Sequence, residues 1–506
     1  MKVSIWISLF LVFCTVLSPA ASLDTAKANS IRTLTLKGLQ YAYALDFKNA
    51  GKMFDDAHAI EPLHPRPMLG RASMRFWRLM IQKDDTTYER LVDEADNIID
   101  AGEKYLDRYD KDADIYTCLG TAYAYRAFAH ARMKSYLKAA WDGKKSYDYF
   151  GNAIELDPHA YDAYAGQGIF HYFATFMPKA LQWVVSVLGV PGDSERGLKE
   201  IRITADKGLY SNVESKFYLA ELLPWYNEDF DSSEKILQEL AQKYPGNSLF
   251  NFTLAVWEIR RNDIRSAKDL LVKLSAEEAP PIPALHEFVL YKLGECYYRL
   301  RDYRRAGDSY ERFLKNYHDE IYVSTANYRI GVCREKMGER DEAQKYYKIS
   351  ANAKSRFGDD RYSTRKATAV LKFGTAPEDT LLLYGQNLFE SGEYASAVTA
   401  FTKLLGISSA SGIIHTEAMY GIGETYFRQE KFSDAVKYFQ DVTAQRVPKS
   451  DEWLMPWSYY YGGLCYLKMK NTADAKKSLE KTGDYDDYDF ETWLGYRTKM
   501  ELTRLK

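Results

Sequence analysis

The stretch YKLGECYYRLRDYRRAGDSYERFL, from Tyr291 to Leu314, decides the fold. Its Gly294 is followed by a tyrosine three positions later, an alanine twelve positions later and a second tyrosine sixteen positions later. Small residues at the first and third of these positions let two helices approach closely, and the rings fill the space between them. The stretch therefore predicts an antiparallel pair of helices.

The same spacing of a glycine, an alanine and a large side chain recurs along the chain. The interval from Gly294 to Gly331 is 37 residues, and the intervals from Gly385 to Gly423 and on to Gly463 are 38 and 40 residues. These periods lie slightly above that of tetratricopeptide repeats, which the units resemble. The resemblance implies an all-α solenoid of about eight or nine helical hairpins. The further units contain Gly38, Ala50 and Phe54; Gly331, Ala343 and Tyr347; Gly385, Ala397 and Phe401; Gly423, Ala435 and Phe439; and Gly463, Ala475 and Leu479.

Length and charge agree with an elongated array. A chain of 506 residues exceeds what one hydrophobic core usually supports. Its 68 Lys and Arg residues nearly equal its 70 Asp and Glu residues, giving a net charge of -2. A general nucleic-acid binder would carry a basic excess, so we expect no nucleic-acid partner.

The first 22 residues have the pattern of a secretory signal. Met1 and Lys2 precede a charge-free run from Val3 to Leu17, and the small residues of SPAAS follow it. The run is shorter than the roughly 20 residues that span a bilayer. We therefore predict export, with retention of the segment as an anchor left open.

Two arrays follow the signal. Residues 23–276 form an irregular N-terminal array and residues 285–506 a regular C-terminal one, separated by the proline-rich EEAPPIPALHEF at 277–288. The interval from Gly331 to Gly385 is 54 residues long and needs an extra element, expected near STRKATAVLKF at 363–373. Cys296, Cys333 and Cys465 each lie two residues after a repeat glycine. Equivalent positions of stacked helices are about 8–10 Å apart, too far for a disulfide, so we expect free buried thiols.

An apolar helix is predicted at 178–188. Lys179 is the only formally charged residue between Ala163 and Gly192. After Pro178, one helical face is apolar, and Trp183 and Val187 widen it, which implies burial or contact with lipid. Three alternatives stay open: a buried helix between repeats, a helix that docks on a membrane or partner, and a membrane span. The candidate docking residues are Leu181, Trp183, Val184, Val185 and Leu188.

Residues around this helix carry a closer resemblance. The segment from about 33 to 271 is similar to the eukaryotic tetratricopeptide family of the yeast inclusion-body-clearance protein. The resemblance implies a non-catalytic adaptor, since members are thought to act in that way and some are linked to lipid or membrane surfaces. Residues 285–480 resemble tetratricopeptide scaffolds of the bacterial envelope, which implies a location in the periplasm or at the outer membrane. The family features are Pro178, Gly189, Gly192, Asp193, Gly197, Leu198, Tyr244, Pro245 and Ser248.

The sequence offers no catalytic or metal-binding pattern. The eight histidines are scattered, and neither a His-Glu-x-x-His motif, nor a Cys-x-x-Cys motif, nor a glycine-rich phosphate loop occurs. We therefore predict a protein that is not an enzyme and has no cofactor, metal or small-molecule substrate.

A partner-binding groove is predicted on the concave side of the array. In stacked helical hairpins, the positions three before, one after and four after the repeat glycine face this side. Aromatic residues dominate there, which favours a protein or peptide segment with apolar anchors, although ordinary repeat packing also places rings at these positions. A peripheral membrane or lipid-associated adaptor is the alternative function. The groove residues at these positions are Tyr291, Glu295, Tyr298, Tyr328, Phe389, Tyr420, Glu424, Phe427 and Tyr460, and Trp457, six residues before Gly463, is expected to extend the aromatic wall.

Overall fold

The computed structural model describes residues 23–505, with the exception of 82–84, 110, 178–182, 184–188, 191, 228, 278–281 and 356. This part of the chain forms 24 α-helices, and each helix packs mainly on its neighbours in sequence. The predicted all-α solenoid of helical hairpins is thus confirmed. The helices are α1 (Thr25–Tyr43), α2 (Phe47–His58), α3 (Pro65–Ile81), α4 (Asp85–Arg108), α5 (Ala113–Arg132), α6 (Tyr136–Leu156), α7 (Tyr161–Phe176), α8 (Ser194–Lys207), α9 (Asn212–Asn227), α10 (Phe230–Lys243), α11 (Ser248–Arg260), α12 (Ile264–Ser275), α13 (Pro283–Arg299), α14 (Tyr303–Asn316), α15 (Val323–Lys336), α16 (Arg340–Ala351), α17 (Gly358–Phe373), α18 (Pro377–Glu390), α19 (Tyr394–Leu405), α20 (Gly412–Arg428), α21 (Phe432–Thr443), α22 (Leu454–Lys468), α23 (Thr472–Lys481) and α24 (Glu491–Arg504).

Several repeat hairpins hold a ring in a glycine-lined slot. Phe401 lies between two such glycines: a Cβ atom on Gly385 would come within 2.7 Å of its ring, and one on Gly421 within 2.6 Å. Phe54 occupies the same kind of slot between Gly38 and Gly70. Because only a residue without a side chain leaves room for the ring, the glycine and the aromatic residue sixteen positions later specify each other.

The turns inside the hairpins repeat one capping device. A residue with positive φ ends the first helix, and the next residue caps the second. Arg301 has φ 65°, and the side chain of Asp302 then accepts a hydrogen bond from the amide of Arg305. Gly392 supplies the same conformation, with φ 80°, before α19. An N-cap carboxylate satisfies an amide that lacks a partner in the first turn of a helix, so a turn of the Asp302 type starts its helix at a defined residue.

Two sequence expectations concern single elements. Helix α17 lies where the long interval required an extra element, and it packs on α15 and α16. The four cysteines of the described part, Cys118, Cys296, Cys333 and Cys465, are free and buried, as predicted for the last three. The thiols therefore act as small core side chains.

The two membrane-related segments fall mostly outside the described residues. The predicted signal at 1–22 does so entirely, as do Leu181, Val184, Val185 and Leu188 of the predicted docking helix. Trp183 is described; it is helical, and 37% of it is exposed. Within the described ranges, no helix combines the length and the apolar character that crossing a bilayer requires.

The solenoid is wound tightly enough for distant repeats to touch. The side-chain amide of Asn247 donates a hydrogen bond of 2.8 Å to the carbonyl of Tyr43, more than 200 residues earlier. Further along, the Asn262 amide donates to the carbonyl of Phe389 at 3.1 Å. These contacts join repeats that are far apart in the sequence.

Candidate functional site

The predicted groove residues form a packed wall. Three of the ten, Tyr328, Phe389 and Glu424, are half-buried. The other seven are buried, which corrects the expectation of an open groove at these positions: Tyr291, Glu295, Tyr298, Tyr420, Phe427, Trp457 and Tyr460. Most of them are covered by rings of the same or the next repeat: Tyr291 packs on Tyr310 and Tyr322. Their role as partner contacts stays a prediction.

The C-terminal helix covers one part of this wall. We call the rings of Tyr420, Phe427, Trp457 and Tyr460 on α20 and α22 the inner wall; they belong to one hydrophobic cluster, and Trp493 of α24 packs against it. The ring centroids of Trp457 and Trp493 are 5.1 Å apart. Helix α24 is therefore seated on the inner wall through aromatic contacts.

An arginine of α24 extends the contact. The Arg497 guanidinium lies 4.3 Å from the ring centroid of Trp493 and 6.0 Å from that of Tyr460. Both distances lie within the range of cation–π attraction. Trp493 and Arg497 are four residues apart, one helical turn, so one face of α24 presents a ring and a cation together.

The far end of α24 reaches the N-terminal half of the chain. Met500 belongs to the cluster of Tyr172 on α7, Leu198 on α8 and Leu219 on α9. Helix α24 therefore crosses the concave side from the last repeats to the middle of the array. The repeat spacing does not cover Trp493, Arg497 or Met500, but their i, i+4, i+7 spacing is the signal of an amphipathic helix and would have identified this face.

Glu295, predicted to face a partner, is neutralised inside the protein. Lys292 Nζ lies 2.8 Å from one of its carboxylate oxygens and Arg299 Nη2 lies 2.6 Å from the other, with Arg329 at 4.0 Å. Burial alone would raise the pKa of this carboxyl, but the three cations together hold the pKa well below its usual range. Arg299 also lies 3.4 Å from Glu390, so the cluster ties α13 to α18. Its geometry is that of a structural ion cluster rather than of a recognition site.

Glu424 has the opposite electrostatic environment. Burial raises the pKa of its carboxyl to about 7, and Arg428 offsets only part of the rise. Because Glu424 lies one turn after Tyr420 on α20, the inner wall carries a carboxyl that is neutral in part of the molecules near neutral pH. A neutral carboxyl can donate a hydrogen bond as well as accept one.

The geometry contains no sign of metal chemistry in the part of the chain that the structure describes. There, no three His, Cys, Asp or Glu side chains lie close enough together to hold a metal ion. The arrangement of rings, one arginine and one carboxyl instead favours recognition of a helix.

Comparisons with known proteins identify the repeats. The Iml2/Tetratricopeptide repeat protein 39 family matches residues 163–357, and two tetratricopeptide repeat models match residues 382–451 and 457–486. The outer dynein arm-docking complex subunit 4 of Xenopus laevis is 29% identical over 101 residues, which are 19% of this chain and 18% of that protein. The chain thus matches less than a fifth of that relative's length.

Two solved structures illustrate the structural similarity. Yeast Tom70 has a TM-score of 0.30 at 12% identity, with 88% of this chain and 90% of Tom70 covered. Pseudomonas aeruginosa pilF has a TM-score of 0.35 at 16% identity, with 51% of this chain and 98% of pilF covered.

Proposed function

Because this chain is a tetratricopeptide-repeat protein, and such repeats act through protein–protein contacts, we propose that it is a non-catalytic scaffold that binds a helical segment of a partner at the inner wall. The observation that carries the proposal is the seating of α24 on this wall through Trp493 and Arg497. The partner segment takes the place of α24. When no partner is bound, α24 fills the site. The wall-facing side of α24 thus describes what the partner must present.

The chemistry of the wall defines that partner. It is an amphipathic helix with an aromatic residue, a cation four positions later and an apolar residue three positions after that, as in Trp493, Arg497 and Met500. The rings supply most of the affinity, because aromatic and arginine side chains dominate protein interfaces. Glu424, with a pKa raised to about 7, adds a polar contact on α20.

A synthetic peptide of residues 488–505 provides a direct test, measured by fluorescence anisotropy against the full chain. The variant Trp493→Ala/Arg497→Ala weakens the hold of α24 and should bind the peptide more tightly than the wild type does. Tyr496→Ala/Lys499→Ala changes the exposed side of the same helix and serves as the matched control. Equal affinity for all three proteins, with unchanged thermal unfolding, would reject the inner wall as a helix-binding site.

The proposed location is the cell envelope, in the periplasm or at the outer membrane. It is supported by the apolar N-terminal run and the small residues after it. N-terminal sequencing of the chain isolated from the envelope should begin after Ala20 or Ser22. An intact chain starting at Met1 and recovered from the cytosol would contradict export.

A peripheral membrane adaptor that docks through helix 178–188 is the second candidate. The exposure of Trp183 favours it, because a tryptophan outside the core is suited to a membrane interface. Replacing Val184 and Val185 with glutamate should abolish liposome association and leave the fold intact.

A further inference from the structure

We infer that the first turns of α6 form a docking surface for an anionic lipid bilayer, distinct from the inner wall and from helix 178–188. Leu137 is 69% exposed and Trp141 is 66% exposed. They are four residues apart, so they share one face of the helix. The preceding Tyr136 is also exposed.

The rest of α6 shows why this face is free. Ala140, Gly143 and Phe150 are buried, and Phe150 occupies a glycine-lined slot as the repeat ring of its hairpin. The helix therefore already has a complete inner face. The leucine and the tryptophan lie on the opposite side, where an ordinary repeat helix carries polar residues.

Positive charge surrounds the two apolar side chains. Lys134, Lys138 and Lys145 are exposed and form no ion pair with a described residue. Lys144 is paired with Asp148. The other carboxylate of this stretch, Asp142, is buried and paired with Arg126 and His130, so it does not offset the lysines.

The neighbouring residues extend the surface. The centroids of Tyr147 and Phe170 lie 5.8 Å apart in the antiparallel pair of α6 and α7. This register brings the start of α6 beside the end of α7. The surface of α6 therefore continues onto the last turns of α7, where Phe173 is 51% exposed.

The charge pattern of this face of α6 indicates an anionic bilayer as the ligand. Lysines around exposed tryptophan and leucine are the composition of a helix that lies in the headgroup region of anionic lipids. A second copy of this chain fits poorly, because a two-fold interface through this face would bring the lysines of the two copies together. An anionic bilayer instead meets the lysines with lipid charge and the tryptophan with the headgroup boundary.

Vesicle co-sedimentation of the full chain tests the inference, with phosphatidylcholine vesicles and with vesicles that also contain phosphatidylglycerol. The first 22 residues are the same in every variant, so differences between variants report on α6. Leu137→Glu/Trp141→Glu should lose binding to the anionic vesicles. Alanine at Lys134, Lys138 and Lys145 should weaken it by roughly 100-fold, since each lysine near an anionic surface contributes about fivefold.

Matched controls separate this effect from unfolding and from general charge. Phe373→Glu changes an exposed phenylalanine on α17, and a triple alanine variant at Lys403, Lys468 and Lys477 removes three exposed lysines of the C-terminal half. Both controls should bind as the wild type does, and circular dichroism melting should be the same for all proteins. Undiminished binding by Leu137→Glu/Trp141→Glu, or equal binding to neutral vesicles, overturns the inference. So does self-association in analytical ultracentrifugation that this double variant abolishes, which would assign the face to a second copy.

Discussion

Replacing Gly421 with alanine adds a methyl group to a slot that the Phe401 ring already fills. The new Cβ would lie 2.6 Å from the ring Cζ and 2.7 Å from Cε2, against about 3.5–4.0 Å for an ordinary carbon contact. The ring cannot retreat, because a Cβ position on Gly385 lies 2.7 Å from its other side and Phe401 is only 1% exposed. Helix α20 must therefore move away from α19.

The magnitude follows from two opposing terms. Overpacking of this kind costs about 1–3 kcal/mol, whereas alanine in a helix interior is favoured over glycine by about 1 kcal/mol. Gly495→Ala on α24 isolates the second term, since Gly495 is an exposed helical residue and its Cβ would meet nothing within 4 Å. The change in local stability that Gly421→Ala causes at α20 should thus be less favourable, by about 1–3 kcal/mol, than the change that Gly495→Ala causes at α24.

Hydrogen exchange of peptides from α19 and α20 is the appropriate assay, because long repeat arrays need not unfold in one step. Phe401→Leu, which shortens the ring, should restore part of the loss in the Gly421→Ala background. A coupling energy of about 1 kcal/mol or more is expected from this double-mutant cycle. Tight packing in the slot would be refuted if Gly421→Ala increased the exchange protection of α20 as much as Gly495→Ala increases that of α24. It would also be refuted if the free-energy changes of Gly421→Ala and Phe401→Leu were additive.

Three further outcomes are expected. Burial raises the pKa of Glu424 from 4.5 to about 7. The stability that this carboxyl contributes is therefore complete below pH 4.5 and is lost as the pH rises through 7. In urea titrations, Glu424→Gln should reduce the fall in the free energy of unfolding between pH 5 and pH 8 by about 1–3 kcal/mol. Glu295→Ala leaves buried cations unpaired and should lower the free energy of unfolding by about 3–5 kcal/mol. The control is Glu342→Ala, which removes the exposed ion pair with Lys345 and should lower it by less than about 1 kcal/mol in the same titration. The buried cysteines should react with a thiol reagent only after unfolding, since burial raises the pKa of Cys296 and Cys333 to about 12.

Local packing was predictable from the sequence because its partners are close in the chain. Gly331 and Tyr347 are sixteen residues apart and meet inside one hairpin, where a Cβ on the glycine would lie 2.6 Å from the ring. The neutralisation of Glu295 was also visible in principle, since Lys292 and Arg299 stand three residues before it and four residues after it on one helix. Its position one residue after Gly294 predicted a groove residue instead, because the repeat pattern takes no account of charged neighbours on the same helix.

The contacts between distant repeats could not be predicted in the same way. The width of a solenoid follows from small rotations accumulated over many repeats, and no single pair of residues encodes it. The contact of Asn262 with Phe389 joins residues that belong to different repeats and are 127 positions apart. The repeat positions therefore identified which side chains face inward but not what covers them.

The occupation of the inner wall by α24 sets a quantitative condition on its use. Withdrawing α24 exposes Leu494, Met500 and part of Trp493, which costs on the order of 5 kcal/mol at about 1.5–3 kcal/mol for each large apolar side chain. The open form is then roughly 10⁻⁴ of the molecules, and a competing helix binds about 10⁴-fold more weakly than its intrinsic affinity. Trp493→Ala/Arg497→Ala lowers this opening cost by about 3 kcal/mol and should tighten the peptide of residues 488–505 by about 100-fold. If the peptide bound the double variant and the wild type equally well, it would bind elsewhere. A shared site requires the peptide and α24 to exclude each other, so the peptide affinity must rise when the opening cost falls.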